Sequence, residues 1–138
     1  MSAAAKRILI VDDDADFSEA LAVYLEQHGY GVLRAQDGRA GLRLARLERP
    51  DLIIMDIMMD ERTEGFFTIQ EIRHTPELVA VPIFVLSALY GRVPDFRIAP
   101  DSGWMAEDEF LSKPVDLPQL LEKVRRRIGP AAPREAQA

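Results

Sequence analysis

At 138 residues, with 48% hydrophobic and 29% charged side chains, the chain has the size and balance of one globular domain, and a second folded module does not fit. It contains no cysteine, which excludes a disulfide framework and a thiolate metal site and points to a reducing cytoplasm, and His28 and His74 alone cannot make a zinc site. A formal charge of −6 argues against nucleic acid as a direct partner; the apolar stretch at Ile8 stops at three aspartates, so no signal peptide is expected, and no segment approaches the roughly 20 apolar residues of a membrane span.

Short β-rich runs alternate with amphipathic segments, the pattern of a parallel sheet covered by helices on both faces. The first strand is predicted over 7–11. Phe17, Leu21, Tyr24 and Leu25 then recur at helical spacing behind a cap at Asp14, and the helix stops near Gly29. A second strand covers 30–35. Asp37 caps a second helix with Ala40, Leu44 and Leu47 on one face, ending before Pro50.

The run Leu52-Ile53-Ile54-Met55 leading into Asp56 is continuously apolar, as a central parallel strand buried on both faces should be. Phe66, Ile69, Ile72 and Arg73 predict a third helix closed by Thr75-Pro76, and 81–86 is another apolar strand. From Tyr90 to Asp108 the rhythm fails, because Gly91, Pro94, Pro100 and Gly103 break any helical pattern. The helix expected there is irregular or missing. A short strand at 109–111 precedes a last helix that is capped by Asp116, admits Pro118 in its first turn and packs Leu120, Leu121, Val124 and Ile128. Arg125, Arg126 and Arg127 close that helix, where cations meet the negative end of its dipole, so they are not read as a nucleic-acid patch. Residues 129–138 are expected to form a disordered tail.

A doubly wound sheet binds its ligands outside the carboxyl ends of its strands. The unusual residues stand there: Asp12 and Asp13 after the first strand, Asp56 ending the third, Ser87 after the fourth and Lys113 after the fifth. Three carboxylates in one cleft repel one another and call for a cation; oxygen ligands alone favour a hard ion such as Mg²⁺. Taken singly, each residue has a plainer explanation. Aspartates before a helix are often caps, Ser87 alone means little, and Lys-Pro after a strand is common. Asp56 is harder to dismiss, since a carboxylate at the end of an apolar strand must be compensated.

Together, ILIVDDD, DLIIMDIMM, PIFVLSA and FLSKPVD resemble the motifs of the response regulator receiver family, in order, over 6–128. The resemblance implies a flavodoxin-like five-stranded parallel sheet of order 2-1-3-4-5. It implies a bacterial, cytoplasmic phosphoprotein of two-component signalling. In this reading Asp56 is the phosphoacceptor, and Asp13, Asp56 and the backbone carbonyl of Met58 bind Mg²⁺, with Asp12 assisting. Lys113 and Ser87 contact phosphoryl oxygens, Phe110 is the aromatic that moves with Ser87, and Lys113-Pro114 is cis. Met58 and Leu89 flank the path of the hydrolytic water and set the lifetime of the phosphorylated state. No organic cofactor is implied. The phosphoryl donor is a sensor histidine kinase or a histidine phosphotransfer protein, output is by docking to a downstream protein, and a homodimer is compatible with the family. The protein catalyses its own phosphoryl transfer and slow hydrolysis but is primarily a switch.

Some positions depart from the family pattern. Asp60 stands where a proline is usual, Gly65 comes one residue late, and the 26 positions from Ser87 to Lys113 exceed the usual spacing. Among rival readings, a haloacid-dehalogenase-like phosphatase requires a second acid where Met58 stands. A receiver-like binding module that is never phosphorylated usually lacks one of the five site residues, all of which are present here.

Overall fold

The computed structural model describes residues 6–56, 64–87 and 109–131. Strands β1 (Arg7–Val11), β2 (Gly31–Ala35), β3 (Leu52–Asp56), β4 (Ile83–Ser87) and β5 (Glu109–Ser112) alternate with helices α1 (Ala15–Gln27), α2 (Gly38–Glu48) and α3 (Glu64–Arg73); α4 (Leu117–Ile128) follows β5. A 3₁₀ turn, Pro76–Leu78, leads into β4. All strand pairs are parallel, in the order β2-β1-β3-β4-β5. The segment 88–108, where an irregular or missing helix is expected, lies outside the described residues.

Alternation along each strand divides the apolar residues between the two faces. Ile8, Ile10, Ile54 and Phe84 meet Leu21 and Leu25 of α1 and Leu120 and Val124 of α4. On the other face, Leu9, Val11, Ile53 and Val85 meet Ala45 of α2 and Ile69 and Ile72 of α3. The sheet is thus doubly wound. β1 and β3 are almost fully sealed, which explains why their sequences show no polar alternation.

Helix starts follow the caps. The side chains of Asp14, Asp37 and Asp116 accept hydrogen bonds from the amides of Phe17, Ala40 and Gln119, satisfying donors that the first turn leaves open. Helix α2 approaches β1 unusually closely. A Cβ on Gly41 would lie 2.8 Å from Val11 Cγ2, so only glycine fits without movement of the strand.

Two expectations need correction. Leu47 does not join Ala40 and Leu44 against the sheet; it is 74% exposed. The innermost stripe of α2 is Gly38, Gly41 and Ala45, and Leu47 lies about 200° round the helix from Ala45. The expected tail also begins too early. The Gly129 carbonyl accepts the Tyr30 hydroxyl at 2.7 Å, Ala131 is buried, and its carbonyl accepts the Lys6 amide at 3.0 Å. The fit depends on small residues, since a Cβ on Gly29 (φ +96°) would stand 3.0 Å from the Ala131 methyl. Residues 132–138 lie outside the described residues.

Candidate functional site

The parallel register brings the site together. Val11 is paired with Met55 on β3, so Asp12 and Asp56 emerge side by side at the carboxyl edge of the sheet. The Asp12 amide is held by the Ala35 carbonyl at 3.0 Å, and its Oδ1 accepts the Asp14 amide at 2.8 Å. One aspartate in the run therefore caps the helix while another is drawn inward. Asp12 is 1% and Asp56 6% exposed, whereas Asp13 faces solvent. One carboxylate oxygen from each of Asp12, Asp13 and Asp56 lies within 4.8 Å of the others, a hard-oxygen set matching a divalent cation such as Mg²⁺.

Lys113, just beyond β5, reaches across β4 to this cluster. Its Nζ lies 3.2 Å from Oδ2 of Asp12 and 3.2 Å from Oδ2 of Asp56. The ammonium also sits 4.6 Å from the centroid of the Phe17 ring, close enough for cation–π attraction. The Lys113-Pro114 peptide is cis.

Burial pushes the Asp12 carboxyl above its ordinary pKa; the Asp14 amide pulls it back, the Asp56 charge adds to the rise, and Lys113 opposes it. Burial alone would lower the Lys113 pKa, but the Asp56 and Asp12 carboxylates outweigh it and the value is raised. The lysine is therefore firmly cationic, held between two poorly hydrated carboxylates.

Ser87 ends β4 in register with Ser112, so its backbone stands on the same edge, and Phe110 is paired with Val85 in β5. The side chains of Ser87 and Phe110, and Met58 and Leu89 altogether, lie outside the described residues. Sequence reasoning missed the contact of Phe17 with Lys113. Spacing placed Phe17 on the apolar stripe of α1, and the available clue was its position at the mouth of the cleft, three residues after the Asp14 cap.

The profile of the response regulator receiver domain matches residues 8–125. The chain is 39% identical over 119 residues to the DNA-binding dual master transcriptional regulator RpaA of Synechocystis, covering 86% of this chain and 47% of that protein. It is 34% identical over 121 residues to protein PilH of Pseudomonas aeruginosa, covering 86% of this chain and 93% of that protein. The chain spans about half or less of the length of the first curated relatives it matches. Among solved structures, it is similar to the receiver domain of a sensor histidine kinase from Pseudomonas aeruginosa, solved with a magnesium ion coordinated in the active site cleft. The TM-score is 0.76 at 28% identity, covering 91% of this chain and 99% of that one.

Proposed function

Since this chain belongs to the response regulator receiver family, we propose that it forms a Mg²⁺-dependent phosphoryl switch with Asp56 as the acceptor. The observation that carries this reading is the placement of Asp56: a 6%-exposed carboxylate at the end of a buried strand, 3.2 Å from the Lys113 ammonium and clustered with Asp12 and Asp13. A carboxylate buried among like charges needs positive partners, and those same partners suit an incoming phosphoryl group.

The donor is a phosphohistidine on a sensor kinase or phosphotransfer protein. A carboxylate oxygen of Asp56 forms the new O–P bond as the P–N bond breaks; the departing electron pair stays on the imidazole nitrogen, which is left neutral or takes up a proton. Lys113 follows the negative charge from carboxylate to phosphoryl oxygen, and transfer depends mainly on such positioning and charge neutralisation. Asp12, Asp13 and Asp56, with the Met58 carbonyl, would hold Mg²⁺, which supplies further neutralisation of the phosphoryl oxygens. The magnesium in the similar kinase receiver supports that assignment.

Ser87 and Phe110 report occupancy of the site to the outer surface, and Met58 and Leu89 restrict the hydrolytic water, giving a long-lived phospho-Asp56. Output is by docking to a downstream protein in the cytoplasm, with homodimerisation as a further route. The test is to incubate wild type and Asp56→Asn with acetyl phosphate and Mg²⁺ and weigh both intact at an acid pH that preserves acyl phosphates. Wild type should gain one phosphoryl group and the variant none. An equal gain in the variant would move the acceptor elsewhere, and no gain in either would favour a binding module that is never phosphorylated.

A further inference from the structure

Helix α2 carries Arg39, Arg43 and Arg46 on an exposed edge, in a chain whose net charge is −6. Among the described residues none of these arginines makes an ion pair. Of the acids flanking the helix, Asp37 caps it and Glu48 pairs with Arg7, while Glu77 lines the same groove without forming an ion pair with the arginines. Arg39 even stands in the first turn, where the helix dipole disfavours a cation. The arginines rim a groove with Leu42, Glu77 and Leu47, the last of these 74% exposed. Within the described fold the single acid in this groove, Glu77, stands against three arginines and pairs with none, and Leu47 stays uncovered.

The complement lies on the other face of the sheet. Along α1, Asp16, Glu19 and Val23 line a second groove, and Val23 is 46% exposed. The two helices carry matching series: acid, acid, aliphatic at Asp16, Glu19 and Val23, and cation, cation, aliphatic at Arg39, Arg43 and Leu47. Laid parallel, they bring Asp16 to Arg39, Glu19 to Arg43 and Val23 to Leu47 with a mismatch of one residue, about 1.5 Å of helix rise. We propose that the α2 edge of one copy of this chain docks on the α1 edge of a second copy, through these two ion pairs and the Val23–Leu47 contact.

Because α1 and α2 cover opposite faces of the sheet, the contact is head-to-tail, and each added copy leaves one edge of each kind exposed. Association is therefore open-ended and concentration-dependent. It is weakened by salt, which at 1 M screens charges beyond about 3 Å. It is independent of phosphorylation chemistry, since none of these side chains belongs to the aspartate cluster.

The experiment is sedimentation velocity of the full chain over a concentration series, with folding of every variant checked by circular dichroism. The weight-average mass of wild type should rise above 15.5 kDa with concentration and return to it in molar salt. Arg39→Glu/Arg43→Glu and Asp16→Lys/Glu19→Lys should each remain monomeric alone, whereas their equimolar mixture should associate, because each variant then meets a partner of opposite charge at both edges. Leu47→Ala, a change at an exposed position, should weaken association without altering the fold. A wild type monomeric at every concentration, association unaffected by either charge swap, or a mixture that stays monomeric would each overturn the proposal.

Discussion

The Lys113 ammonium stands 4.6 Å from the centre of the Phe17 ring, so helix α1 holds the lysine that spans Asp12 and Asp56. Cation–π attraction at a partly shielded site is worth about 0.5–2 kcal/mol, or roughly 2- to 30-fold in a rate when it operates in the transition state. Phe17→Leu should slow phosphorylation of Asp56 by acetyl phosphate within that range, and Phe17→Trp should largely preserve it. A Leu variant as fast as wild type would mean that the ring does not position the lysine.

Asp12 gives a prediction with a definite sign. Its pKa is raised, chiefly by burial, so the folded state favours the protonated form. The group's stabilising contribution is present below its unfolded pKa and lost as pH rises through its folded pKa, leaving ionised Asp12 a liability at neutral pH. Asp12→Asn should raise the urea midpoint in EDTA. The gain from saturating Mg²⁺, about 2.7 kcal/mol at 100 times the dissociation constant, should shrink in the variant. If the variant is less stable in EDTA and gains as much from Mg²⁺, both the burial argument and the ligand assignment fail.

Gly41→Ala should destabilise, although alanine is the better helix former by about 1 kcal/mol. The added methyl would lie 2.8 Å and 3.0 Å from the two Val11 methyls, and overpacking of this kind costs about 1–3 kcal/mol. Val11→Ala should be partly rescued by Gly41→Ala, a coupling that a double-mutant cycle in urea would read directly. Strictly additive effects would count against the close approach.

At alkaline pH the informative residue is Tyr30. Burial pushes its hydroxyl pKa up, partly opposed by Arg125, and the hydroxyl donates to the Gly129 carbonyl at 2.7 Å. Its stabilising contribution is complete below the unfolded tyrosine pKa and is lost as pH rises through the higher folded value. In tyrosinate absorbance titrations, the component missing from Tyr30→Phe should ionise above the ordinary tyrosine value. The stability advantage of wild type over that variant should disappear over the same alkaline range.

Much of the strand layout was legible because burial on both faces erases polar alternation, as in Ile53-Ile54-Met55, and because capping is local, as at Asp14, Asp37 and Asp116. The gathering of Asp12, Asp13, Asp56 and Lys113 followed from strand-end chemistry once the sheet was assumed parallel. Contacts set by tertiary geometry were not legible. Leu47 fits a helical stripe in sequence, but the stripe that faces the sheet is set by where Gly41 can approach Val11. Arg7 ties β1 to the end of α2 through Glu48 at 2.8 Å, and its amide donates to Asp51 at 2.8 Å. These partners are more than forty positions apart, and no local pattern announces them.

The bond between the Lys6 amide and the Ala131 carbonyl gathers both edges of the domain at the amino ends of the strands. The aspartate cluster occupies the opposite pole, about 17 Å away along a five-residue strand. Entry and exit side by side make the unit pluggable: spliced into a surface loop of a host protein, it would ask for little stretching of either linker and leave the aspartate pole open to visitors. The host would then feel any rearrangement at that pole only through the length of the sheet and its flanking helices.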